Sequence, residues 1–237
     1  MSAWLIPAQP EAFSCDPRST AVVVVDMQND FGSRGGMFDR AGVPIQGIAA
    51  VTPNIARVLE AARAAGLLVV YIKMGFLPDL SNLGPEDAPN RLRHAPFGVG
   101  EQVTHDDRTW RILIRGGWGA EVVDALEPEK GDLEVWKHRY SAFFETELHD
   151  LLQVHRIRSL IVTGCTTSVC VDSTVRDASF RDYRCLVLAD CVAEPIASDA
   201  VRTNHEASLL TFEMLFGWTA WTNTFVQAIA TEPAGSI

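Results

Sequence analysis

A doubly wound (Rossmann-like) α/β fold, with a mainly parallel sheet and helices on both of its faces, is predicted by three features of the sequence. Short β-branched runs recur along the chain, helical patterns separate them, and no repeat, low-complexity tract or linker interrupts the alternation. A single domain over residues 1–237 is therefore expected, with a short arm at 1–19.

The first strand is expected at 20–25, where Thr-Ala-Val-Val-Val-Val has no polar residue after its first position. Further buried strands are expected at 67–74, 133–136, 157–163 and 184–189. The first crossover helix is expected at 51–65, because Ile55, Val58, Leu59 and Ala62 share one face and Gly66 is a natural stop just beyond. Further helices are expected at 120–126, 144–154, 168–180 and 199–216. The segment 75–117 breaks the pattern, since Pro78, Pro85, Pro89, Pro96 and several glycines leave little periodicity. Excursions of that length in a compact domain are often lids or binding loops, so specificity is expected to reside there.

Composition narrows the function. The 47% apolar content suffices for a sizeable core, and the longest apolar runs fall far short of the ~18 residues that span a bilayer. With 30 acidic against 20 basic residues the formal charge is −10, a field that repels phosphate backbones and anionic lipid. Neither a nucleic-acid nor a membrane partner is expected; a small-molecule substrate is. Five cysteines without a repeated Cys-x-x-Cys pair fit neither a disulfide framework nor a zinc site. A cytoplasmic enzyme without a metal or other cofactor is the expectation. The clustered aromatics Phe212, Phe216, Trp218, Trp221 and Phe225 suggest burial against another subunit, hence a homo-oligomer.

In open α/β sheets ligands bind beyond the carboxyl ends of the strands, which directs attention to the polar residues placed there. Asp26 ends the first strand, Lys137 follows the third and Cys170 lies just past the fourth. A lone cysteine in an apolar helix is most often a buried small hydrophobe, and Cys15, Cys165, Cys185 and Cys191 are read that way. Cys170 differs because it lies near the start of a helix, where free N–H groups and a nearby cation favour thiolate. Lys137 supplies the cation, and Asp26 the base that takes the thiol proton and returns it to a leaving nitrogen. The small and hydroxyl residues from Gly164 to Cys170 leave closely spaced backbone N–H groups for an oxyanion.

Val25, Asp26, Gln28, Asp30 and Phe31, then Lys137, then Gly164, Thr167 and Cys170, occur in the order and spacing found in the isochorismatase-like cysteine hydrolases, and from about Thr20 to Trp218 the chain resembles them. The resemblance implies a six-stranded parallel sheet and an Asp26, Lys137, Cys170 triad. It also implies a cis peptide between Cys165 and Thr166, and an oxyanion hole from the backbone N–H groups of Thr166 and Cys170. The Lys137 to Phe144 stretch, Ser173 to Asp177 and Phe216 to Trp218 look most like ureidoacrylate amidohydrolases, with biuret, triuret and N-carbamoylsarcosine hydrolases as close relatives. The implied reaction is hydrolysis of an amide C–N bond in a small ureido or carbamoyl compound, through an acyl-enzyme.

Two positions depart from the ureidoacrylate pattern. His138 stands where Pro is common and Met74 where Asn is usual, which removes a side-chain amide from ureido recognition and leaves room for a larger or less polar amide. Gln28, Phe31, Phe76, Trp118 and Tyr140 are the expected substrate contacts. His138 is expected to face away from Lys137, since neighbours on a strand point to opposite faces. No metal-ligand pair like that of the nicotinamidases follows Met74, where Asp79 has no histidine until His94. Neither a Gly-x-Gly-x-x-Gly fingerprint nor a phosphate-binding Gly-x-x-x-x-Gly-Lys motif is present. A non-catalytic binding protein of the same fold is the competing reading, disfavoured because all three triad positions are filled.

Overall fold

The computed structural model describes residues 3–231. Ten strands are found among them: β1 Trp4–Ile6, β2 Phe13–Cys15, β3 Thr20–Val25, β4 Leu68–Met74, β5 Gln102–His105, β6 Arg108–Arg111, β7 Leu133–Lys137, β8 Ser159–Cys165, β9 Arg184–Ala193 and β10 Trp218–Ala220. The α-helices are α1 Asn29–Gly32, α2 Met37–Arg40, α3 Gln46–Ala64, α4 Pro89–His94, α5 Leu148–Val154, α6 Asp172–Ser179, α7 Asn204–Thr211 and α8 Thr222–Ile229. Six strands form one sheet in the order β10-β9-β8-β3-β4-β7, every neighbouring pair parallel. Counted along the chain this is the 3-2-1-4-5-6 order of doubly wound sheets, with the winding reversing between β3 and β8.

The period of two in a strand sends its apolar residues to both faces. Val22 and Val24 of β3 join one core with Ile55, Val58 and Leu59 of α3 and Phe225 of α8. Ala21, Val23 and Val25 join the other, with Leu148 and Leu152 of α5 and Val175 and Ala178 of α6. Every residue of β3 is buried, which is why it reads as an unbroken apolar run.

Several expectations are corrected. The helix expected at 51–65 starts at Gln46 and carries Pro53 inside it, because Ile48 continues the buried face of Ile55 one heptad earlier. The stretch 120–126 is not an α-helix: Ala120 closes a 3-10 turn at Trp118–Ala120 and a second forms at Asp124–Leu126, each too short to bury a stripe of its own. The helix expected at 199–216 begins at Asn204, where Thr203 and Glu206 form a capping box, and ends in a π-helical turn at Phe212–Phe216. The arm at 1–19 contains the β1–β2 hairpin, whose Trp4, Ile6 and Phe13 enter the core. Its connecting loop covers the sheet edge: Gln9 and Thr219 exchange N–H···O bonds of 2.9 and 3.0 Å. Phe212 and Phe225, expected at a subunit contact, are fully buried in the chain's own cores.

Gly164, the penultimate residue of β8, has φ +110°, and a Cβ there would lie 2.0 Å from the Val25 carbonyl oxygen. Only glycine lets the ends of β3 and β8 come this close. The winding-reversal point is thereby closed tightly, just where Asp26 and the Cys170 turn emerge.

Candidate active site

Asp26 follows β3 with φ +51°, a left-handed conformation that asparagine and aspartate tolerate better than most residues. Its N–H donates to the Ile72 carbonyl at 2.9 Å, which fixes the turn against β4. Lys137 is the last residue of β7 and is fully buried. Cys170 lies in a π-helical turn, Thr167–Val171, that runs directly into α6. Such turns are rare and frequently functional. Here the Thr166 carbonyl accepts from both the Val169 and the Val171 N–H at 3.1 Å, which anchors the residues on either side of Cys170.

The Lys137 ammonium joins the three elements. Its Nζ lies 2.8 Å from Asp26 Oδ2 and donates to Cys170 Sγ at 3.3 Å and to the Arg139 carbonyl at 3.2 Å. Met74 Sδ is a fourth, weaker neighbour at 3.5 Å. Asp26 is 1% exposed, and among the described residues its carboxylate receives no well-aligned hydrogen bond besides that ion pair. A buried carboxylate with unused lone pairs is an available proton acceptor.

The protonation pattern follows from burial. Desolvation raises Asp26 above the ordinary carboxylate range despite Lys137, making it a stronger base than a surface aspartate. Burial alone would lower Lys137, but Asp26 and Cys170 outweigh it and keep the ammonium charged. Burial and the Asp26 charge push the Cys170 thiol far up, and Lys137 only partly offsets them. A thiol that burial disfavours from ionising thus lies beside the Asp26–Lys137 ion pair. Cys185 and Cys191, raised by burial to about 12, have no such pair beside them.

A cavity of about 120 Å³ opens onto Cys170 and Asp26. Phe31, Phe38, Phe97, Met37 and Met74 wall it, Thr166 and Val169 contribute from the nucleophile turn, and Tyr140, Arg93 and His94 complete it. Of the expected substrate contacts, the fold brings Phe31 and Tyr140 to this cavity. It does not bring Gln28, Phe76 or Trp118. Gln28 is a backbone clip: its amide nitrogen donates to the Met74 and Ala120 carbonyls at 2.8 Å, and its oxygen accepts from the Met74 N–H at 2.7 Å. Phe76 is fully buried, edge-on to His94, and Trp118 packs edge-on to Trp110 with Arg108 over its face.

Asp30 is a second clip. It is fully buried and accepts from the Leu113 N–H at 2.7 Å, the Met37 N–H at 3.1 Å and Trp110 Nε1 at 3.3 Å, tying the 75–117 excursion to α1 and α2. Gly119 must be glycine beside it, because a Cβ there would meet the carboxylate at 2.2 Å. The Cys165–Thr166 peptide is cis, as the resemblance implies. His138 turns away from the cavity, with Nε2 3.1 Å from Glu145. Sequence reasoning missed Arg93, His94 and Phe97, which belong to α4 and the 3-10 turn after it. The available signal was Pro89, favoured in the first turn of a helix, ahead of a run with no proline until Pro96.

Among the described residues no group of three or more His, Cys, Asp or Glu side chains could hold a metal ion. The description "Isochorismatase domain" fits residues 20–224. The ureidoacrylate amidohydrolase RutB of Serratia proteamaculans is 38% identical over 225 residues, spanning 95% of this chain and 88% of that protein. The protein of that name from Caulobacter vibrioides (strain ATCC 19089 / CIP 103742 / CB 15) is 38% identical over 93% of this chain and 96% of its own length. Among solved structures, a cysteine hydrolase from Pseudomonas syringae pv. phaseolicola superimposes with a TM-score of 0.77 at 29% identity, covering 97% of this chain and 99% of that one. The N-carbamoylsarcosine amidase of Thermoplasma acidophilum gives 0.63 at 26% identity, covering 86% and 97%.

Proposed function

The chain belongs to the isochorismatase family, and from that premise we propose that it is a cysteine amidohydrolase of a small ureido compound in which Asp26, Lys137 and Cys170 do the chemistry. It is a hydrolase of C–N bonds other than peptide bonds, like the ureidoacrylate amidohydrolases it is similar to. The observation that carries the assignment of roles is the buried ammonium held between a carboxylate and a thiol that both line a largely apolar cavity.

In the reaction Asp26 takes the Cys170 proton as sulfur attacks the ureido carbonyl. Lys137 stabilises the negative charge while it is on sulfur, and the N–H groups of Thr166 and Cys170 hold the oxyanion of the tetrahedral intermediate. As the C–N bond breaks, the protonated Asp26 gives its proton to the departing nitrogen, which leaves as an amine or ammonia. The carbonyl carbon stays on sulfur as a thioester-type acyl-enzyme. Water, deprotonated by Asp26, attacks it and restores the thiol; a transferred carbamoyl group leaves as carbamate.

The test is an ammonia- and amine-release screen over ureidoacrylate, biuret, triuret and N-carbamoylsarcosine, with mass spectrometry of the quenched enzyme. At least one compound is expected to turn over, with the acyl group on the Cys170 peptide. Replacing Cys170 by Ala should lower kcat by about 1000-fold or more; undiminished turnover would remove the nucleophile from the scheme.

The cytoplasm is the compartment we assign, on the support of five unpaired thiols, which suit a reducing environment. No described helix is long and apolar enough to cross a membrane. A homo-oligomer remains part of the reading, supported by the exposed Met214, Leu215 and Trp221, at 69%, 72% and 62%. Light scattering at the 26.0 kDa of one chain would dismiss it.

A further inference from the structure

The cavity combines an apolar body with a cation at its rim that the chain itself does not neutralise. Arg93, the penultimate residue of α4, lines the cavity with an exposed side chain. Among the described residues it makes no ion pair and no hydrogen bond. Its charge is felt across the opening at the Tyr140 hydroxyl, whose pKa burial and Cys170 raise while Lys137 and, more weakly, Arg93 act against them.

The chain as a whole has a formal charge of −10, so an unpaired cation at this opening stands against the overall field. Arg91 on the same helix donates to the Gly84 carbonyl at 2.8 Å, and Arg139 donates to the Asn82 carbonyl at 2.9 Å and the His138 carbonyl at 2.7 Å. Both guanidiniums are thus fixed by backbone oxygens rather than by carboxylates, so their charge is not cancelled. His94 adds none: burial lowers its pKa, and its Nδ1 is engaged by the Asn90 carbonyl at 2.7 Å. The acid among the cavity-lining residues, Asp26, lies at the floor and is already paired with Lys137. A guanidinium without an ion-pair partner at the opening attracts anions, and it binds carboxylate in a two-pronged geometry.

We propose that Arg93 is the specificity-determining residue that binds a carboxylate on the substrate, so that the site takes ureido or carbamoyl acids in preference to neutral ureas. This rests on the ureido reading above: the carbamoyl end goes to Cys170, the body lies against the aromatic wall, and the carboxylate ends at the rim.

Calorimetry on the Cys170→Ser protein separates binding from turnover, using 3-ureidopropionate and the neutral (3-hydroxypropyl)urea as probes. The acid is expected to bind about 10- to 100-fold more tightly, the range of a hydrogen-bonded charge pair. Adding Arg93→Gln should erase that preference, Arg93→Lys should keep part of it, and added salt should weaken the acid selectively. Equal binding of the two probes, or a preference that survives Arg93→Gln, overturns the proposal. The ratio of kcat/KM for the two compounds in the Cys170 enzyme then tells the two readings apart. An Arg93-dependent preference in binding with no cleavage of either probe sinks the hydrolase scheme for such ureas but upholds Arg93. Cleavage of both at equal kcat/KM, unchanged by Arg93→Gln, does the reverse.

Discussion

The carboxyl rim of the sheet and the excursion at residues 75–117 build the two sides of one cavity by opposite means. Asp26, Lys137 and Cys170 stand at or just beyond the ends of β3, β7 and β8, and their positions are set by the parallel ladders of the sheet, with β3 and β8 buried throughout and β7 paired along β4 at the edge. Arg93, His94 and Phe97 ride on a six-residue helix and a 3-10 turn, fastened where Asn90 and Arg91 donate to the Leu83 and Gly84 carbonyls, inside an excursion that Asp30 ties down at Trp110 and Leu113. The rim therefore has little freedom to change, while the excursion can vary its side chains without disturbing a ladder. On the proposed reading, chemistry belongs to the first region and selection to the second.

The variant that strains this division most is Lys137→Met. Loss of the ammonium leaves the Asp26 carboxylate buried without its counter-charge and the developing thiolate without stabilisation, so kcat should fall by about 1000-fold or more. Unfolding should also come earlier, and parallel kinetics and thermal melts separate the two effects. A variant that kept kcat would move the chemistry out of the rim.

The pH profile of kcat/KM gives the next largest effect. Asp26 must be ionised to take the thiol proton, and burial raises its pKa, so the acid limb should lie above the usual ~3.9 of an aspartate. Below that limb activity falls about tenfold per pH unit. Lys137 is held above its usual range, so it should impose no alkaline limb below about pH 10. A neutral urea is the substrate to use, since its own charge does not change, and an acid limb at or below 3.9 would contradict the raised base.

The smallest effects divide the aromatics. Phe97→Ala, in the cavity wall, should raise KM several-fold with kcat nearly kept, whereas Trp118→Phe, behind the wall, should leave both within about twofold. Equal responses would mean that the cavity boundary is misplaced.

How much of this could be read in advance depended on the length and burial of each element. The five long strands of the sheet were legible because continuous apolar runs have few other ways to be satisfied. The three-residue β10 and the β5–β6 pair were not, since so short a stretch carries no period. The trio was legible because a strand end fixes where its next polar residue emerges. Gln28 was misread because its amide has two backbone carbonyls and an N–H to satisfy, contributed by residues 46 and 92 positions away.

By itself, the sequence determined the alternation of strands and helices, the three residues at the strand ends, and the run of small and hydroxyl residues from Gly164 to Cys170. These are local matters of periodicity, chain stops and backbone freedom. The tertiary structure decided which face each of the remaining side chains shows. It turned Gln28 and Asp30 into clips, put Trp118 behind the wall, and left Arg93 at the opening without an ion-pair partner among the described residues. That choice depends on groups distant in sequence that compete for the same donors, acceptors and space, and no window along the chain contains them all.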